Sequence, residues 1–295
     1  MTEMTASDLG TTRIGPTTFR WGERTFVMGI LNVTPDSFSG DGLVTGSSDQ
    51  VESAVAQARR MVDEGADILD IGGESTRPGH APVTAEEERA RILPVISAVR
   101  AELPDMPISV DTTKPAVAEA ALAVGADLIN DVWGVGEDDA LPRLAAEHGV
   151  PIVVMHNRAE PRYRTFIPEL IADLQRALDR AARLGVPWDD LIVDPGFGFG
   201  KTPDHNLELL RELGTLRLLG RPILLGTSRK STLGRVLDLP AGERVEATLA
   251  TTALGIAAGT DIVRVHDVRA NVRAARMTDA VVRGTWVHEP EGGPP

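Results

Sequence analysis

The most constraining feature of this chain is a repeated pattern, not a repeated sequence. Eight short apolar runs occur: "FVMGIL" (26–31), "DILDIG" (67–72), "PISVD" (107–111), "DLIND" (127–131), "PIVVMH" (151–156), "LIVD" (191–194), "PILLG" (222–226) and "DIVRVHD" (261–267). Between and after them lie amphipathic, Ala-rich stretches at 49–64, 84–101, 114–124, 138–147, 166–184, 204–213, 243–258 and 269–281. Strands this continuously apolar are buried on both faces, as parallel strands covered by helices are. Several helical stretches close on one signal: "EGAD", "VGAD", "AAGTD" and "EHGVP" place a glycine where the chain leaves the helix. Eight such units in 295 residues predict a (β/α)8 TIM barrel and not an open doubly wound sheet. Upstream, "TTFRWGERTFVM" carries a Trp-Gly-Glu turn between two β-prone runs, which predicts an N-terminal β-hairpin at the barrel's bottom. Residues 1–18 and 284–295 are rich in small, polar, Gly and Pro residues and predict disordered tails around a single domain at 19–283.

Bulk properties narrow the function classes. A net charge of −13 and a pI near 4.9 argue against a general nucleic-acid or anionic-membrane surface. The absence of cysteine excludes disulfides, thiolate catalysis and Cys-ligated metals. No apolar run reaches the roughly 20 residues of a membrane span. The N-terminal "MTEMTASDLGTT" is polar and lacks the apolar core of a signal peptide, so a soluble cytoplasmic protein is expected.

In a barrel of this kind chemistry sits at the carboxyl ends of the strands, and the polar residues collect there. The first run leads into "NVTPDSFSGDG" and the second into "GGESTRPG". The third ends at Asp111, the fourth at Asn130 and Asp131, the sixth at Asp194 before "PGFGFGKTPDHN". The seventh runs into "GTSRKS", and the eighth carries Arg264, His266 and Asp267. Singly, these acids have local explanations: Asp111 can cap the helix after "TTKP", and Asp194 can open a turn at Pro195. Collected on one face they ask for another. Arg264 and His266 beside Ile262, Val263 and Val265 are costly to bury without a partner, so the site wants two cationic or proton-donating groups side by side.

Two decoys are set aside. "GFGFGKT" (196–202) resembles a phosphate loop, but the glycine required five residues before Gly200-Lys201 is Pro195. It is not a dinucleotide fingerprint either, and its glycines suit a tight loop near a ligand. Among the six histidines, His148 suits a helix C-terminus, His80 and His205 fall in loops and His288 in the tail. None forms a zinc-like cluster by spacing.

Taken in order, "NVTPDSFSGDG", "GGESTRPG", "SVDTTKP", "LINDVWG", "DPGFGFGKTPDHN", "GTSRKS" and "VRVHDV" resemble the successive signatures of the dihydropteroate synthase family over about residues 20–283. The resemblance implies a (β/α)8 pterin-binding domain that joins 6-hydroxymethyl-7,8-dihydropterin diphosphate to p-aminobenzoate. It implies a pterin site of Asp111, Asn130, Asp194, Gly226 and Lys230, with Asp194 accepting from the amino group and ring N–H of the pyrimidine half. It implies a diphosphate site of Asn32, Thr76, Arg77, Arg264 and His266, with Asn32 on a Mg²⁺ shared with the diphosphate. Phe38, Pro78, Lys230 and Ser231 are implied for p-aminobenzoate, on loops that order around bound substrate. Asp111, Asp194, Lys230, Arg264 and His266 are the implied catalytic set: diphosphate leaves early, the acids face a cation-like pterin, and the arylamine then attacks. A homodimer through helices remote from the mouth is also implied.

The departures are small. "RAEPRYR" after "MHN" is shorter and more basic than many relatives carry, and "SGDG" stands where "SDGG" is frequent. No insertion beside Phe38 resembles those of sulfonamide-insensitive variants, so ordinary sulfonamide inhibition is expected. A methyltetrahydrofolate–corrinoid methyltransferase would share the Asp/Asn/Asp pocket but would not need Arg264, His266 and "SRKS". A non-catalytic paralogue would not be expected to keep "NVTPDSF" and "GGESTRPG" intact. Trp188 and Trp286 suit packing or surface positions, and Trp133 lies near the mouth.

Overall fold

The computed structural model describes residues 9–34, 47–74, 83–134, 136 and 138–286. It opens on an antiparallel hairpin, β1 (Thr11–Ile14) and β2 (Thr17–Arg20), turning at Gly15-Pro16. Eight parallel strands follow: β3 (Phe26–Asn32), β4 (Ile68–Gly72), β5 (Ile108–Asp111), β6 (Leu128–Asp131), β7 (Ile152–Met155), β8 (Leu191–Asp194), β9 (Leu224–Leu225) and β10 (Ile262–Val265). Their hydrogen-bonded order is β8-β7-β6-β5-β4-β3-β10-β9. One parallel bridge, Val193 to Ile223, with Val193 N–H donating to Pro222 O, joins β8 to the start of β9 and closes the circle. The predicted (β/α)8 TIM barrel is the observed fold.

The helices are α1 (Ser47–Asp63), α2 (Ala85–Glu102), α3 (Pro115–Ala123), α4 (Ala140–His148), α5 (Phe166–Arg183), α6 (Pro203–Arg211), α7 (Ser231–Leu237), α8 (Val245–Ala257) and α9 (Val268–Val282). The pattern reading lacks α7, whose seven residues are too few to show a period. His205, expected in a loop, is the third residue of α6. It closes a capping box in which its Nδ1 accepts from Thr202 N–H and its own N–H donates to Thr202 Oγ1. No helix among the described residues is long and apolar enough to cross a membrane.

The barrel has two cores. One lies between sheet and helices. The other fills the bottom of the barrel: Phe26, Met28, Ile68, Leu128, Val153, Ile192, Leu224 and Ile262 point inward and meet Leu9, Ile14, Phe19 and Trp21. The hairpin therefore plugs the bottom, as predicted, but it is not the predicted hairpin. The Trp-Gly-Glu turn follows β2 instead of dividing two paired strands, and Trp21, 2% exposed, is part of the plug against Phe19 and Phe26. The expected disordered stretch to residue 18 includes β1, because alternate residues Thr12 and Ile14 are buried behind outward polar ones. A threonine in an inward position hides that alternation in the sequence.

The helix-ending glycines Gly65, Gly125, Gly149 and Gly259 all take positive φ. The aspartates that follow three of them do a second job. Asp67 accepts from Val27 N–H, Asp127 from Ile108 N–H and Asp261 from Ile223 N–H. Each thus satisfies a donor at the start of a neighbouring strand, so "GAD" and "GTD" combine a helix stop with a strand cap.

Candidate active site

Side chains alternate along a strand, so the residue two positions beyond each bottom-layer residue also faces the barrel interior. In β4, β6, β8 and β10 those residues are Asp70, Asn130, Asp194 and Arg264. Asp111 ends β5 and pairs in register with Gly72 and Asn130. The apolar lower barrel therefore gives way to a polar upper layer made by five strands.

Arg264 organises this layer. Its Nε donates to Asp70 Oδ2 at 2.5 Å and its Nη2 to Asp111 Oδ2 at 2.5 Å. Asn130 Nδ2 also donates to Asp70 Oδ2, at 3.2 Å. Asp70 is wholly buried and absent from the expected site; it lies in the middle of an apolar run, where an acid reads as an interruption. Burial pushes Asp111 up to about 7 against the pull of Arg264, with Asp70 adding to the rise. Arg264 is held further above its already high value: its burial is outweighed by Asp70 and Asp111. Asp111 Oδ1, Asn130 Oδ1 and Asp70 Oδ1 are buried acceptors without a donor among the described residues. Unsatisfied buried acceptors of this kind call for donors from elsewhere.

Beside this layer a narrow pocket is lined by Asn130, Val132, Met155, Asp194, Phe197, Phe199, Gly226, Lys230 and Arg264. Asp194 Oδ1 accepts from Gly196 N–H at 2.7 Å, and burial raises its pKa. Gly196 (φ 68°) has no room for a side chain, because a Cβ there would collide with His156 O. This permits the loop to turn tightly and offer its N–H to Asp194. Lys230 Nζ sits 3.9 Å from the centre of the Phe199 ring. The pocket thus combines an aromatic and aliphatic lining with the acceptors Asn130 and Asp194 and the cations Lys230 and Arg264.

His266 lies just beyond β10 and is half-buried. Its backbone N–H donates to Ser228 Oγ at 3.1 Å, and its Nδ1 lies 3.0 Å from the same oxygen. Ser228 thus holds both the backbone and the ring of His266. Asp267 makes a two-pronged pair with Arg229, at 3.0 and 2.6 Å, and braces the neighbouring loop at a residue with φ 57°. Asn32 ends β3, and Ser231 is exposed at the start of α7, next to Lys230. Phe38, Thr76, Arg77 and Pro78 lie outside the described residues. Trp133 is exposed near the mouth, its N–H donating to Asp131 Oδ1. Burial raises Asp131 to about 6.

A closed barrel whose mouth offers buried acid and amide acceptors beside an aromatic and aliphatic lining defines a pterin-binding enzyme, and the family model described as "Pterin binding enzyme" matches residues 28–266. The dihydropteroate synthase of Bacillus subtilis is 50% identical over 273 residues, covering 92% of this chain and 94% of that protein. That of Clostridium beijerinckii is 49% identical over 272 residues, covering 92% and 99%. In three dimensions the chain is similar to a dihydropteroate synthase from Clostridium difficile crystallised in the presence of pteroic acid, with a TM-score of 0.85, 47% identity, and 90% of this chain and 99% of that one covered. The chain belongs to the dihydropteroate synthase family.

Proposed function

We propose that this protein joins 6-hydroxymethyl-7,8-dihydropterin diphosphate to p-aminobenzoate, giving 7,8-dihydropteroate and diphosphate in folate synthesis. The observation that carries the reading is Arg264, which reaches Asp111 on the pterin side while belonging to β10, the strand that leads into His266. Asp111, Asn130 and Asp194 accept from the pterin's ring and amino N–H groups, and Lys230 serves its carbonyl edge across the pocket lined by Gly226. Arg264 and His266 hold the diphosphate.

In the reaction the bond from the pterin methylene carbon to the diphosphate oxygen breaks, and its electron pair leaves with the diphosphate. The arylamine nitrogen then bonds to that carbon and gives up a proton. The protein stabilises charge at both ends, with cationic donors on the leaving anion and Asp111 and Asp194 beside the developing cation. Ser231 and Lys230 serve the p-aminobenzoate end together with Phe38 and Pro78. Asn32 offers one neutral oxygen, and among the described residues no group of three or more His, Cys, Asp or Glu gathers as a metal site. That donor set suits Mg²⁺ only when diphosphate and water complete the shell, where the ion neutralises the leaving group. Thr76 and Arg77 belong to the same end by family pattern.

The protein acts in the cytoplasm as a homodimer. Met277 and Val281, one turn apart on α9, and Leu254 on the adjoining α8 expose large apolar surface that a second copy would cover. Sulfonamides compete with p-aminobenzoate; synthesis unchanged under excess sulfonamide would refute this. The deciding assay mixes pure protein, pterin diphosphate, p-aminobenzoate and Mg²⁺. Product that disappears on chelation and falls at least about 100-fold in Arg264→Ala supports the reading; no product from the wild type overturns it.

A further inference from the structure

Behind the pocket, His156, Lys201 and Asp173 form a cluster that the reaction above does not use. Lys201 closes the glycine-rich loop after β8. Its Nζ lies 3.0 Å from His156 Nδ1, 3.3 Å from His156 O and 3.0 Å from Phe199 O. An ammonium has three donors, and all three are taken. None of these partners carries a charge, and among the described residues Lys201 has no ion-pair partner within 4.0 Å. His156 is wholly buried, and its Nε2 lies 3.2 Å from Asp173 Oδ2 on α5. Because Nδ1 faces a donor, the ring proton sits on Nε2 and is given to Asp173. Asp173 is fixed in turn by Arg158, at 2.7 and 2.9 Å, and by Arg176.

The geometry ties this cluster to one half of the substrate. Lys201 grips His156 O, the carbonyl against which Gly196 packs, and Phe199 O at the loop's far end. Gly196 N–H holds Asp194, and Phe199 lies under Lys230. We propose that Lys201, oriented by His156 and Asp173, is a positioning residue that fixes Asp194 and Phe199 for the pterin ring. The charges around it are Asp194 on β8, Asp173 on α5, Arg158 before α5 and Lys230 before α7. Lys201 is partly exposed as a residue, yet burial of its ammonium lowers its pKa to about 7, with Asp194 the largest charge opposing the fall. Keeping such a costly group is consistent with a role in the site.

The inference rests on the pterin-binding reading, so the wild type must first bind pteroic acid; a wild type that does not bind it refutes that reading and this inference with it. In Lys201→Met, whose stem is similar and which lacks donors, KM for pterin diphosphate and Kd for pteroic acid rise at least tenfold. KM for p-aminobenzoate stays within twofold. Lys201→Gln, which keeps an amide donor, recovers part of the loss. A merely structural lysine would lower both substrates' performance alike, in step with the folded fraction. Equal rises in both KM values, unchanged pteroic acid affinity, or failure of both variants to fold overturns the positioning role.

Discussion

Arg264 Nη2 donates to Asp111 Oδ2 at 2.5 Å, so the proposed anchor of the leaving diphosphate touches a proposed acceptor of the pterin. The two ends at which charge separates are linked by one guanidinium. Its other arm is held by Asp70, at 2.5 Å, beneath the site. Asp70 therefore sets where the fork points, though it does not line the pocket.

Asp70→Asn tests that dependence. The amide keeps the shape but replaces a charge-assisted bond worth about 1.5–3 kcal/mol. The expected result is a loss of roughly 10- to 100-fold in kcat/KM for pterin diphosphate, with the KM for p-aminobenzoate little changed. Steady-state kinetics varying each substrate separately checks it. An unchanged kcat/KM would mean that Asp111 alone orients Arg264.

Asp111 links activity to stability through pH. Its folded-state pKa is about 7 against an ordinary 3.8. Between those values the folded protein keeps a proton that the unfolded chain gives up, so stability contributed by this group is lost as pH rises from about 4 to about 7. Asp111→Asn removes the titration and still offers an oxygen to Arg264. The variant should be relatively more stable at pH 8 than at pH 5, by about a few degrees in Tm, while activity falls by about 100-fold or more. Thermal unfolding of both proteins across this pH range decides; a Tm difference independent of pH contradicts it.

The barrel was legible in the sequence because the parallel strands are apolar runs and several of the helices before them stop at a glycine, and those signals are local. Asp111, Asn130, Asp194, Gly226, Lys230 and Arg264 were legible because they stand at or beyond strand ends, where the family motifs also fall. Asp70 was not, since its meaning depends on a partner 194 residues away. Lys201 reads in the sequence as the end of a failed phosphate loop, and only the fold brings it to His156. The hairpin register is hidden in the sequence because Thr12 occupies an inward position, where its hydroxyl accepts from Trp21 Nε1 and donates to Asp189 O. Non-local pairing is what a single strand's pattern cannot carry.

Met277→Glu tests the dimer. Met277 is 66% exposed and Val281 71%, so a carboxylate at 277 disturbs nothing inside the monomer but would be desolvated in an interface. Sedimentation should show a dimer for the wild type and a monomer for the variant, with helix content unchanged. A wild-type monomer at micromolar concentration refutes the assignment.

The two ends of the barrel are separable by mutation. Ile14 is fully buried in the plug with Phe19 and the inward residues of the strands, and the polar site lies in the upper layer. Ile14→Ala leaves a cavity among side chains held by two sheets that cannot readily close in on it, which costs about 2–5 kcal/mol. The positions of Asp111, Asp194 and Arg264 depend on strand register and on their own hydrogen bonds, which the plug does not enter. Denaturant unfolding should therefore show a lowered midpoint with an unchanged slope, while kcat and both KM values stay within about twofold at temperatures where the variant is folded. A loss of kcat in the fully folded variant would mean that the bottom plug sets the register of the catalytic layer.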